Sequence, residues 1–218
     1  AKWMAGRPTG IPDSGWLGGR GESWERGPYY CDGLLPLAHL LGNQTLLAKA
    51  HKWIEWTLRS GRPNGQFGPG RPDWWPRMVM LKVLAMHYEA TGDERVLDLM
   101  MNYFSYQVKA LKARRLSKWA HARGAENVLT AYWLYNITGE RFLLDLSALL
   151  FSQTMNWTEL QGSYAVGKLL PLKEYWMPTH VVNNAMGVKM PALLYLETGD
   201  DWHRNAARQG IENLMHYH

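Results

Sequence analysis

At 218 residues, 46% hydrophobic and 20% charged, the chain is long enough to bury a real core, and its composition excludes both disorder and a membrane-embedded class. The formal charge of +5 comes from scattered basic residues, which argues against nucleic acid as a partner; the densest cluster, Lys109, Lys112, Arg114, Arg115 and Lys118, falls near a helix end, where cations suit the last carbonyls. A single cysteine, Cys31, excludes an internal disulfide framework, and no run of eighteen apolar residues is present to span a membrane.

In chain order, residues 1–27 are rich in Gly without a sustained helical period and read as an extended N-terminal arm, and 28–218 read as one domain. A punctuation mark then recurs. Leu40-Leu41-Gly42-Asn43, Ala90-Thr91-Gly92-Asp93, Ile137-Thr138-Gly139-Glu140 and Glu197-Thr198-Gly199-Asp200 each follow one apolar helical run and precede another. Each Gly is expected just past a helix end in the left-handed conformation, with the next helix starting almost at once. The expected pairs are 29–41 with 44–58, 75–90 with 94–111, 122–136 with 141–155, and 181–197 with 201–217. The markers stand 50, 47 and 60 residues apart (42 to 92 to 139 to 199), the period of stacked helical hairpins.

The first helix of each pair is apolar on most sides, as in Met78, Leu81, Val83, Leu84, Ala85 and Tyr88, and is expected in an inner layer. The second helices carry more charge, as in Asp93, Glu94, Arg95 and Asp98 or Asp200, Asp201, His203 and Arg204, and suit an outer, wetter layer. Pro36 and Pro191 fall within inner helices, where each should kink the helix or define its first turn. The loops 59–74, 113–121 and 156–180, which enter the inner helices, are long, gather at one end of the bundle and hold much of the Trp, Gly and Pro.

Twelve Trp and eleven Tyr against four Phe give most of the aromatic area a polar tip, suited to half-wet surfaces. Four clusters flank the inner-helix starts: Trp24-Glu25 with Tyr29, Tyr30 and Asp32; Asp73-Trp74-Trp75-Pro76-Arg77; Arg123-Gly124-Ala125-Glu126-Asn127; and His180-Val181-Val182-Asn183-Asn184. Aromatic faces for sugar C–H groups, with carboxylates, Asn and Arg for hydroxyls, would make a carbohydrate cleft, and a carboxylate pair among Glu25, Asp32 and Glu126 could act as acid and base or nucleophile. Each residue also has a plainer role: Glu22, Glu25 and Asp73 beside helix N-termini, Trp74 and Trp75 in the core, Arg77 and Arg123 paired with the acids, Cys31 as an inert buried thiol. Asp32, inside an apolar helix, requires a partner or a polar cavity.

In order and spacing, Glu25-Arg26-Gly27-Pro28-Tyr29-Tyr30-Cys31-Asp32-Gly33-Leu34, Asp73-Trp74-Trp75-Pro76-Arg77-Met78, Ala122-Arg123-Gly124-Ala125-Glu126-Asn127 and His180-Val181-Val182-Asn183 resemble segments of the β-L-arabinofuranosidases, glycoside hydrolase family 127 and its relatives. The resemblance implies an all-α domain of helical hairpins forming part of an (α/α)6 toroid, about four of six hairpins, with β-rich domains following it. It also implies retaining hydrolysis through a zinc-bound cysteine and a glutamate acid/base. The segments carrying those groups are expected beyond residues 212–218, so zinc is expected only in a full-length member and no metal site or other cofactor in this chain. What remains is expected to be the substrate cleft: His180, Asn183, Asn127, Trp24, Trp74 and Arg77, with Glu126 and Asp32. The expected partners are a carbohydrate ligand and a second copy closing the incomplete ring. Two alternatives stand beside this reading: a self-sufficient hydrolase using carboxylates without metal, and a non-catalytic helical-repeat scaffold binding glycan or protein.

Overall fold

The computed structural model describes residues 13–163 and 177–217. The first part of the expected arm, most of the loop expected at 156–180, and His218 lie outside the described residues. All regular structure described is helical: α1 Arg26–Leu40, α2 Gln44–Arg59, α3 Trp74–Thr91, α4 Arg95–Ala113, α5 Lys118–Ala122, α6 Ala125–Thr138, α7 Phe142–Phe151, α8 Trp157–Ser163, α9 Val181–Gly187, α10 Lys189–Thr198 and α11 Asp201–Tyr217, with a 3-10 turn at Gly15–Leu17. The protein is all-α and built of helical hairpins.

The four glycine markers do what the spacing predicts. Gly42, Gly92, Gly139 and Gly199 have φ of +58°, +69°, +71° and +69°, a region where a side chain is strained. The last three turns share one cap. The glycine N–H donates to the carbonyl of a tyrosine four residues back, Tyr88, Tyr135 or Tyr195, at 2.7–2.8 Å. The preceding threonine hydroxyl donates to the carbonyl four residues before it, in His87, Leu134 or Leu194, and accepts the amide N–H two residues on, from Asp93, Glu140 or Asp200. Helix-end carbonyls and the first amide beyond the turn are thereby satisfied without water.

The chain divides into two compact units, Ala1–Ala113 with Trp133–Glu140, and Arg114–Tyr132 with Arg141–His218. In the first, α1 packs on α2 and α3, and α3 on α4. Helix α3 is buried on all sides, from Trp74 through Leu81 without a break, as an inner helix must be. Two polar rungs join α1 to α3: Glu25 accepts the Trp75 indole N–H at 2.6 Å, and Asp32 pairs with Lys82 at 3.0 Å. Both partners advance by seven residues between the rungs (25 to 32, 75 to 82), so the two inner helices run parallel and in register.

Residues 13–25 are folded against the helices. Ser14 caps the 3-10 turn, Trp16 is fully buried, and its indole N–H donates to Trp24 O at 2.8 Å. Trp16 meets Phe67 edge-on at 6.2 Å, and Phe67 meets Tyr103 at 4.8 Å. Gly68, at φ +77°, lets the loop backbone lie against the Trp16 ring, where a Cβ would come to 2.7 Å.

In the second unit α11 packs on α8 and α10. The helix expected at 181–197 is broken in two. Pro191 has no N–H to offer the Gly187 carbonyl and sits in the first turn of α10, and Gly187 is pressed so closely on the Trp157 ring that a Cβ would lie 2.3 Å from it. The loops expected at 113–121 and 156–180 carry the short helices α5 and α8, and Trp157 of α8 is anchored by its indole N–H to Ala122 O at 2.7 Å.

Candidate functional site

In the first unit Asp73 is the N-cap of α3: one carboxylate oxygen accepts the Trp75 amide at 3.1 Å and the other the Trp24 indole N–H at 2.8 Å. Trp24 is half-buried, and this bond fixes its ring beside the start of α3. Two expected cleft residues, Arg77 and Trp74, are buried. Arg77 is 3% exposed; its Nε donates to Phe67 O, one terminal nitrogen to Arg71 O and Asp73 O, and the other to Pro69 O, all at 2.7–3.0 Å. Its guanidinium staples the loop before α3. Trp74, also 3% exposed, packs on Tyr106 at 6.2 Å.

In the second unit, residues far apart in sequence are drawn into one polar cluster. Lys118, at φ +51°, turns the chain into α5 and sets Trp119. His180 stands edge-on to the Trp119 ring at 5.2 Å, and the Arg123 guanidinium lies 4.7 Å from the centre of the same ring. Arg123 Nε donates to Asn183 Oδ1 at 2.6 Å, and Asn183 Nδ2 donates to Met177 O at 3.1 Å. His180 is the N-cap of α9, its Nδ1 accepting the Asn183 amide at 3.4 Å. Three residues beyond Arg123, in the first turn of α6, the Glu126 carboxylate is held by the Lys189 ammonium from the first residue of α10. Asn127 is fully buried beside it in sequence. The cluster joins a buried anion, a 41% exposed cation, a half-exposed imidazole and an indole, a set able to bind a polyhydroxylated ligand.

Of the predicted residues, His180 and Asn183 are joined through Trp119 and Arg123, Glu126 is held by Lys189 nearby in sequence, and Trp24 stands with Asp73. Sequence reasoning missed Trp119, Lys189 and Lys82, the partners that hold the expected residues in place. Only a helix-start position marks Lys189, and no local signal marks Trp119.

The family model of the β-L-arabinofuranosidase GH127 catalytic domain matches residues 40–218. The chain belongs to this family. Neither the curated proteins nor the solved structures yield a match. As a GH127 domain the chain is glycoside hydrolase-like, and the zinc-bound thiolate expected of full-length members can be tested against its residues. Cys31 is 1% exposed, and burial, then the neighbouring Asp32 charge, pushes its thiol well above the usual range. Among the described residues no three His, Cys, Asp or Glu side chains are grouped to hold a metal ion. Among the described residues, the buried Cys31 thiol and its surroundings do not fit a thiolate-bound zinc.

The candidate carboxylates of this GH127 chain are each engaged by a nitrogen donor: Glu25 by Trp75, Asp32 by Lys82 and Glu126 by Lys189. Asp32 thus finds the partner that its place in an apolar helix demanded.

Proposed function

We propose that the chain is the substrate-cleft part of a glycoside hydrolase whose parent acts on β-L-arabinofuranosides or related plant-polysaccharide sugars. The reading is carried by the second-unit cluster, in which Trp119, Arg123 and Asn183 hold His180 half-exposed while Lys189 caps a buried Glu126. In this reading His180, through Nε2, and the Lys189 ammonium donate to sugar hydroxyl oxygens, and Trp119 supplies the apolar surface for ring C–H groups. The acid/base glutamate and zinc thiolate come from residues other than those described, so turnover belongs to the parent.

The test is calorimetric titration of the chain with arabinofuranosyl disaccharides. Saturable binding is expected, with His180→Ala weakening it by roughly tenfold, the loss of about one hydrogen bond. If neither the chain nor a gene product lengthened at its C-terminus binds or cleaves arabinofuranosides, the proposal fails.

We further propose that a second copy covers exposed apolar side chains of the second unit, where Leu196, Trp202, Ile211 and Met215 are each half or more exposed. Sedimentation should then report a dimer that Trp202→Glu with Met215→Glu converts to monomer; a monomeric wild-type chain overturns this.

A further inference from the structure

We infer that His39, His51 and His87 form a proton-operated latch in the first unit, which keeps the end of α3 seated against α1 and α2 while the site is neutral and loosens it on proton uptake. His87, one turn before the end of α3, is 5% exposed. Its Nε2 lies 3.4 Å from Asp93 Oδ2 in the α3–α4 turn, and its Nδ1 is buried with no hydrogen-bond partner. His51 of α2 meets its ring edge-on at 5.8 Å. His39, in the last turn of α1, is near enough to act on its charge, and His39 Nε2 is likewise buried without a partner.

The chemistry of imidazole makes this arrangement directional. A neutral ring carries one N–H, which His87 can give to Asp93 from Nε2, leaving Nδ1 as a bare acceptor. A protonated ring carries N–H on both nitrogens, so protonation strands a buried donor at Nδ1 and puts a charge in the interior. The groups facing His87 are His39 from α1, His51 from α2 and Asp93 from the turn. Arg95, the first residue of α4, binds the same Asp93 oxygen at 2.6 Å and Glu55 of α2 at 2.6 Å, so the carboxylate that would balance the proton is already shared. Burial therefore prevails over Asp93, with His51 and His39 adding to it, and holds His87 below the ordinary 6.5. The unfolded chain then binds the proton more readily than the folded one, so stability declines as pH falls from 6.5 toward the folded midpoint.

The test is thermal unfolding of the 218-residue chain across about pH 7.5 to 5, with the histidine rings followed by NMR. Wild type should lose about 3 °C or more in Tm over this range. His87→Leu, which keeps the volume and removes the titrating ring, should abolish most of that loss. His51→Gln, at an exposed position, should move the His87 ring titration upward and shrink the loss. A wild-type slope preserved in His87→Leu, or a His87 ring titrating at or above the ordinary value in the folded chain, overturns the inference. Should His87→Leu not fold, the NMR titration and His51→Gln decide the matter.

Discussion

Replacing Arg77 separates a staple from a ligand-binding group. Arg77→Met keeps the aliphatic stem and deletes the guanidinium. Each bond from a charged donor contributes about 1.5–3 kcal/mol, but the four are not summed, because Arg71 is exposed and its carbonyl, like that of half-buried Asp73, can turn to water. Phe67 and Pro69 are buried, and their carbonyls would be stranded at about 1–3 kcal/mol each. The expected loss is therefore about 3–5 kcal/mol, the range in which breaking a buried network falls. Urea unfolding followed by tryptophan fluorescence reads it, since Trp74 and Trp75 flank the staple. Arg77→Lys should be intermediate: it restores a charge but not the planar fork that reaches carbonyls on two sides. A variant within about 0.5 kcal/mol of wild type but weakened in sugar binding would refute the staple and return Arg77 to the cleft.

Gly187→Ala should destabilise the second unit by about 1–3 kcal/mol, since the new Cβ meets the rigid Trp157 ring; thermal melts read the loss. Lys118→Gly should raise stability by up to about 1 kcal/mol by releasing the left-handed strain ahead of Trp119, and an unchanged melt would remove that strain from the account. Thr138→Val should cost about 1 kcal/mol through the lost hydroxyl bridge across the α6–α7 turn. In acid, Asp93 should contribute too: the Arg95 guanidinium lowers its carboxyl to about 2, so its share of stability is present above the ordinary 3.8 and is lost as pH falls from about 4 to 2. Arg95 is over half exposed, so that share is under about 1 kcal/mol, and Arg95→Gln should flatten the acid limb accordingly.

Local chemistry was legible in the sequence, and distant pairing was not. The threonine–glycine–acid turns announce themselves because each bond of the cap lies within six residues. The inner character of α3 followed from its unbroken apolar run. The break between α9 and α10 had visible ingredients in Gly187 and Pro191, yet the ring that lies against Gly187, Trp157, is thirty residues upstream. The carbonyls that Arg77 binds were hidden for a similar reason, since they belong to a loop with no sequence signature. Asp32 shows the reverse. A carboxylate in an apolar helix required a partner, and Lys82 supplies it fifty positions away, but nothing in the sequence singled out that lysine.

The polar groups that single out the inner helices for function are the same ones that tie these helices together. In the first unit the rungs from Glu25 to Trp75 and Asp32 to Lys82 set the register of α1 against α3. In the second, Glu126 to Lys189 and Tyr132 to Glu197 join the start and middle of α6 to the two ends of α10, again in the parallel sense. A carboxylate held this way is fixed by its lysine, and removing the lysine strands a charge rather than merely deleting a contact. Exposure then separates the two rungs that contain lysine. The Glu126 carboxylate is 6% exposed and that of Asp32 21%, so Lys189→Met should cost more stability than Lys82→Met, and Glu126→Gln in the same chain should recover part of the difference. Equal losses in the two variants would mean that burial does not govern these pairs. In that case Glu126 has no stronger claim than Asp32 to be held in place for a ligand.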